Sequence, residues 1–388
     1  MTIRSRVFRM PPTIYFGDHA ADESGREARR LNARAALVVT DASLVAGGIV
    51  QPVLDSLAAA GLAVAIYDGV TSEPECSHVE EGFEVLRKNG CDLVVGVGGG
   101  SPIDTAKAVA LLSTNPGRVQ DLVRPELATQ AALPIIAVPT TAGTGTEVSQ
   151  YAVVTDVERS VKLVIISPLV IPQVALVDPL LTTGMSQSLT AATGLDALTH
   201  AIEAYVSAKA QPMSEAMSLS AMELLGKYLF QAWRDPLDRE ARTWTMLGAL
   251  HAGVAFSNSS TALVHGMTRA MGAVFHIPHG LANAMLLADV MEFSLAGDPE
   301  RYARIAQALG ADVTGLSPME AAREGLAVVR KMVHDMEVPK LSSLGVSEEE
   351  LGRVAATMAK ETILSGLHAL NPRVATEAEI TRLYYAAL

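Results

Sequence analysis

The chain has 388 residues, 49% of them hydrophobic and 19% charged, with a formal net charge of -12. That length suggests two domains with substantial cores, and the acidic balance argues against nucleic acid and anionic membranes as partners. Two cysteines, Cys76 and Cys91, imply no secreted disulfide framework, no apolar run is long enough for a membrane span, and the polar, basic N-terminus is unlike a signal peptide, so a cytoplasmic protein is expected.

The first half alternates short β-branched runs with helical patterns. Ala35 to Thr40 reads as a strand, Leu44 to Ala60 as a helix closed by Gly61, and Leu62 to Tyr67 as a second strand. A helix over His78 to Lys88 leads to a strand from Cys91 to Val97, a helix from Pro102 to Ser113 and a strand from Pro134 to Val138. This alternation predicts a parallel sheet covered by helices on both faces. Ala152 to Thr155 and Val161 to Ile166 look like an added hairpin with Glu158-Arg159 at its turn. Beyond Pro179 the β-rich runs stop. Helix formers such as Ser214 to Tyr228 and Met319 to Met336 follow one another to the C-terminus. The expected division is an α/β nucleotide-binding domain over residues 1–185 and an all-helical domain, metal-binding and catalytic, over 186–388.

Val97-Gly-Gly-Gly-Ser-Pro-Ile-Asp104 follows a buried strand and opens a helix, the setting of a phosphate site. Glycines let backbone N–H groups approach an anion. Ser101 suits the N-cap, Pro102 the first helical position and Asp104 the third, where it can complete a capping box. A tight turn before a well-capped helix would look similar. Pro139-Thr-Thr-Ala-Gly-Thr-Gly-Thr-Glu147 follows the next strand and is expected in the same crevice at the carboxyl ends of the strands. Asp41 ends the first strand, where a carboxylate accepts from a ribose and repels a 2′-phosphate, favouring NAD over NADP. An Asp there also commonly caps the next helix.

Asp196 and His200 lie four apart in Gly194-Leu-Asp-Ala-Leu-Thr-His200, a helical stretch, and so share a face. With His265 and His279 they form a carboxylate and three imidazoles, a set suited to zinc or ferrous iron. Nine histidines in the chain make chance proximity a real alternative.

Taken together, Gly98-Gly-Gly-Ser-Pro-Ile-Asp104, Pro139-Thr-Thr-Ala-Gly-Thr-Gly-Thr-Glu-Val148, Ala192-Thr-Gly-Leu-Asp-Ala-Leu-Thr-His-Ala-Ile-Glu-Ala-Tyr205 and Pro278-His-Gly280 resemble the iron-containing (group III) alcohol dehydrogenases. The resemblance runs from about Tyr15 to the end of the chain and is strongest to the lactaldehyde reductase (propanediol oxidoreductase) branch. It implies a dehydroquinate synthase-like architecture: an α/β dinucleotide-binding domain, an all-helical domain and a catalytic metal in the cleft. It implies a small alcohol, diol or aldehyde as substrate, NAD as cofactor, one divalent metal (ferrous iron, with zinc possible) and a homodimer or larger oligomer. The implied metal ligands are Asp196, His200, His265 and His279. The implied cofactor positions are Asp41, Gly98, Gly99, Gly100, Ser101, Asp104, Thr140, Thr141, Thr144, Thr146 and Lys162.

Two departures stand out. Arg269 occupies a place, four residues after the third ligand, where many members carry a histidine, and Tyr151 stands where the lactaldehyde-type pocket has an asparagine. With that histidine gone, His276 is the remaining candidate for proton relay; a structural histidine before Pro278 is the other reading. A metal- and NAD-using lyase or cyclase of the dehydroquinate synthase type is the enzymatic alternative, and a non-catalytic nucleotide-binding module the other.

Overall fold

The computed structural model describes residues 5–159 and 161–388. Two compact units result. One comprises residues 9–141 and 145–183; the other comprises 5–8, 142–144 and 184–388. Among the described residues no helix is long and apolar enough to cross a membrane.

The first unit is built on a six-stranded sheet. Its strands in chain order are β1 (Thr13–Phe16), β2 (Ala35–Val39), β3 (Ala63–Tyr67), β4 (Leu93–Gly98), β5 (Ile135–Pro139) and, after the hairpin of β6 (Tyr151–Asp156) and β7 (Val161–Ile166), β8 (Val174–Val177). The spatial order is β1-β8-β5-β4-β2-β3, and every pairing in the sheet is parallel. Parallel strands are buried on both faces, which is why they read as continuous apolar runs. In β2, Ala35, Leu37 and Val39 enter one core while Ala36 and Val38 enter the core on the opposite face. Helix Gly100–Leu112 supplies Val109 and Leu111 to the first of these cores, and helix Gln51–Ala59 supplies Val53 and Leu57 to the second. The antiparallel β6–β7 pair forms as expected, with Tyr151 opposite Ile166.

The α/β reading of the sequence therefore holds, with differences of detail. The helix expected over Leu44 to Ala60 is two helices, Ala42–Ala46 and Gln51–Ala59. Gly48 between them has φ 72, a left-handed conformation that ends the first helix. Strands β1 and β8 were not expected. Cys76 and Cys91 are both free thiols.

The second unit is helical. Its helices include Gln187–Val206, Pro212–Arg234, Arg239–Ser257, Leu263–Phe275 and His279–Ser294, followed by Pro299–Ala308, Pro318–Asp335, Glu348–Leu364 and Glu377–Ala386. Side-chain caps mark many of their starts. Ser186 accepts from the Leu189 N–H, Asp238 from that of Ala241, and Ser317 forms a capping box with Glu320.

Candidate functional site

In the helical unit, three elements bring Asp196, His265 and His279 together. One ligand-type atom from each lies within 4.8 Å of the others. Asp196 comes from the middle of helix Gln187–Val206, His265 from the first turn of Leu263–Phe275, and His279 from the first residue of His279–Ser294. Gly280 makes the third approach possible. A Cβ there would meet the Ala192 carbonyl oxygen at 2.8 Å, so only glycine lets this helix start lie against the backbone of Gln187–Val206.

His200 stands beside the three. Its Nδ1 is 3.9 Å from Asp196 Oδ1, and its ring stacks between Phe256, at 4.3 Å, and His265, at 4.5 Å. That Nδ1 is buried and without a hydrogen-bond partner. A buried orphan nitrogen facing a carboxylate costs free energy unless something satisfies it. Together with the three converging atoms, it makes this set of donors fit one divalent metal.

The surroundings favour ligand-ready forms. Burial drives the His265 pKa well below that of a free imidazole, and the nearby His200 and Arg269 push it further down against the pull of Asp196, so the ring is neutral. Burial would raise the Asp196 carboxyl, but His200, His279, His265 and the Asn283 amide outweigh it and keep it ionised. Asn283 Nδ2 donates to Asp196 Oδ1 at 2.6 Å and lies 3.2 Å from His265 Nε2 and 3.1 Å from His279 Nε2. It sits four residues after His279, one turn on along the same face. Glu203, 2% exposed, lies within 2.6 Å of His265 Nδ1, and burial raises its pKa to about 7. Neither Asn283 nor Glu203 was singled out from the sequence. The signal available was Glu203's spacing, seven residues after Asp196 on one helix face.

Arg269 is half-buried on the helix of His265 and close enough for its charge to act on that ring. His276 is exposed, at the left-handed C-cap of the same helix with φ 53, and is not one of the clustered residues.

In the α/β unit, the sheet order reverses direction between β2 and β4, because β3 extends one side and β5 the other. Ligands of such sheets bind beyond the carboxyl ends of strands at that reversal. Asp41 follows β2, Gly98 ends β4 and Gly99 and Gly100 follow it, so both flank it. Gly98 has φ 150, and a Cβ on it would meet Pro102 Cγ at 2.6 Å. The helix begins two residues earlier than expected, at Gly100, with Gly99 as an N-cap that makes no side-chain bond. Its first backbone N–H groups are thus not claimed by a cap side chain, as an anion site requires.

Ser101 is therefore not the cap; its Oγ donates to the Ser72 carbonyl at 2.7 Å. Asp104 makes no capping box either. It turns to the next loop, accepting from Thr146 Oγ1 and, at 3.0 Å, from the Val153 N–H. Thr140 and Thr141 follow β5, with Thr141 Oγ1 3.4 Å from where a Gly99 Cβ would be. Thr144 groups with the helical unit. Lys162 on β7 pairs with Glu73 at 2.9 Å. Asp41 caps helix Ala42–Ala46, accepting from Ser43 N, Ser43 Oγ and Leu44 N, all on Oδ1. Capping and ribose recognition are compatible, since Oδ2 takes none of these three bonds.

Sequence comparison agrees with this geometry. The family model described as iron-containing alcohol dehydrogenase matches residues 11–179, and that of the Fe-containing alcohol dehydrogenase C-terminal region matches 190–388. The chain is 38% identical to 1,3-propanediol dehydrogenase of Klebsiella pneumoniae over 100% of both chains. It is 37% identical to NAD-dependent methanol dehydrogenase of Bacillus methanolicus, covering 98% of this chain and 99% of that one. With lactaldehyde reductase of Escherichia coli (strain K12) the identity is 39% over 97% of each. The crystal structure of a 1,3-propanediol oxidoreductase superposes with a TM-score of 0.96 at 38% identity, covering 99% of this chain and 100% of that one. With both halves matched and relatives aligned end to end, the chain belongs to the iron-containing alcohol dehydrogenase family.

Proposed function

We propose that this protein is an NAD-linked, divalent-metal-dependent alcohol dehydrogenase and aldehyde reductase acting on small alcohols or diols. The observation that carries the reading is the convergence of Asp196, His265 and His279, with the orphan nitrogen of His200 beside them. The proposed metal ligands are these four, and ferrous iron is the proposed ion, with zinc the competing one. When bound, the metal supplies Lewis-acid polarisation of a substrate oxygen and NAD supplies the hydride acceptor. The protein's part is to hold the four donors together, with Asp196 ionised and His265 neutral, and to present unclaimed backbone N–H groups to the dinucleotide phosphates. Asp41, Gly98, Gly99, Gly100, Ser101, Asp104, Thr140, Thr141, Thr144, Thr146 and Lys162 are the proposed cofactor residues. Their support is the switch-point placement of the first four and the NAD named for the methanol dehydrogenase relative. His276, exposed three residues before His279, is the proposed carrier of the hydroxyl proton from its ring to water. A cytoplasmic homodimer with a domain boundary at about residue 185 completes the proposal.

The test is NADH absorbance with a panel of two- to four-carbon alcohols, diols and hydroxy acids, after loading with ferrous iron or with zinc. Turnover supports the reading. A lyase would consume substrate with no net NADH, and a binding module would do neither.

Asp41 tests the cofactor assignment. Asp41→Gly removes a charge that repels a 2′-phosphate, so the ratio of kcat/KM for NADP to that for NAD should rise about tenfold or more, a difference of about 1.4 kcal/mol. An unchanged ratio would leave Asp41 as a helix cap alone.

Arg269 tests substrate choice. A guanidinium this near the cluster can hold a second oxygen of a diol or hydroxy acid, a charge-assisted bond worth about 1.5–3 kcal/mol. Arg269→Ala should shift the preference between diols and simple alcohols about tenfold or more. Arg269→His should also move the pH–rate profile. If both variants keep the wild-type ranking and profile, Arg269 does not touch substrate.

A further inference from the structure

We propose that Glu203 is the positioning residue that fixes His265 in the tautomer a metal ligand needs, using the same carboxylate that caps the helix carrying His265. The proposal rests on the metal reading of the site.

Helix Leu263–Phe275 starts after Ala262, a residue with no side chain able to cap it. The cap arrives from elsewhere. Glu203 Oε1 accepts from the Val264 N–H at 2.6 Å. Its other oxygen, Oε2, is 2.6 Å from His265 Nδ1. A neutral imidazole carries a single N–H, and the Asn283 amide nitrogen, a donor, lies 3.2 Å from His265 Nε2, so that nitrogen is the acceptor. The proton of His265 is therefore on Nδ1, and Nε2 holds a lone pair. That Nε2 is the atom turned to the cluster, 3.7 Å from Asp196 Oδ1.

Glu203 belongs to helix Gln187–Val206, which also carries Asp196 and His200. One carboxylate thus locks the ring's tautomer, its orientation and the spacing of two helices. It does not itself reach the clustered atoms, so its effect passes through His265. A carboxylate behind a metal-binding imidazole raises its basicity, and losing such a partner typically weakens metal affinity about 10- to 100-fold.

Glu203→Gln is the informative change. The amide keeps an oxygen for Val264 but offers N–H to Nδ1, which favours the other tautomer, with the proton on Nε2 and no lone pair toward the cluster. Metal-free wild type and variant would be titrated with cobalt(II), read by its visible absorption without substrate or NAD. Cobalt should bind the variant about 10- to 100-fold more weakly while far-UV circular dichroism and metal-free melting match. Equal affinity overturns the role of Glu203 and leaves the metal site standing. A wild-type protein that takes up no cobalt overturns both. Should the variant fail to fold, histidine nitrogen NMR of the metal-free wild type decides the matter. A proton on His265 Nδ1 supports the assignment, and one on Nε2 overturns it.

Discussion

His265→Ala is expected to give a folded protein that retains no divalent metal and has lost about a thousandfold or more in kcat/KM. The size follows from what the metal does. Lewis-acid stabilisation is worth several kcal/mol, and about 4 kcal/mol is about three decades in rate. His265 is the central ring of the group, stacked on His200 at 4.5 Å and tilted against His279 at 5.2 Å, so its loss breaks the arrangement from the middle. Folding should survive. The substitution leaves Glu203 Oε2 without its histidine partner, a penalty of about 1–3 kcal/mol, against a total stability of about 5–15 kcal/mol. Glu203 Oε1 keeps its bond to Val264. Metal content by elemental analysis, circular dichroism and steady-state kinetics form the test. Undiminished turnover by a metal-free His265→Ala protein would sink the metal reading.

The parts of this molecule that were legible in the sequence are those with a local signal. The central strands β2, β4 and β5 are apolar runs bounded by turn residues, and the glycine run after β4 announces a close backbone approach. Strand β1, Thr-Ile-Tyr-Phe, lacks such a run, and the apolar run of β8, Val-Ala-Leu-Val, is too short to stand out. Each has four residues, and they pair with one another across more than half of the first unit, Thr13 with Val174 through Phe16 with Val177. A parallel pairing of that range leaves no mark in either segment alone. The start of helix Gly100–Leu112 misled for a different reason. Ser101 has a good capping chemistry, but the Ser72 carbonyl claims its hydroxyl, and the chain enters the helix through Gly99.

Asp196 and His200 were visible because helical spacing puts them on one face. Glu203 and Asn283 were not, because an acid or amide at such a position usually faces water. Only the packing of three helices shows them buried at 2% and 0% exposure. Lys107 is the same kind of miss. In a helical pattern it reads as a solvated side chain, yet it is 0% exposed.

Lys107→Met is expected to destabilise the α/β unit by about 3–5 kcal/mol, the usual consequence of removing one partner from a buried charged group. Lys107 Nζ donates to the Tyr151 carbonyl at 2.8 Å, to the Ser149 carbonyl at 2.9 Å, to Thr146 Oγ1 at 3.2 Å and to Ser149 Oγ at 3.3 Å. It ties the loop after β5 to helix Gly100–Leu112. Without it, those acceptors lose a donor, and buried Glu147, already raised to about 7 by burial, loses a neighbouring cation. Burial also pulls the lysine itself down to about 8, against Asp104 and Glu147, from an ordinary 10.5. The folded protein then holds fewer protons than the unfolded chain between those two values. Stability contributed by this group accordingly rises with pH through that window. The desolvation penalty is full below about pH 8 and gone above about pH 10.5. The stability difference between wild type and Lys107→Met, followed by urea unfolding, should therefore widen as pH rises from 8 to 10.5. A difference that stays flat would mean the lysine is not a desolvated cation. Thr140 and Thr141 sit on the loop it tethers, so KM for NAD should rise more than kcat falls. A loss confined to kcat would place the role of Lys107 elsewhere than in cofactor binding.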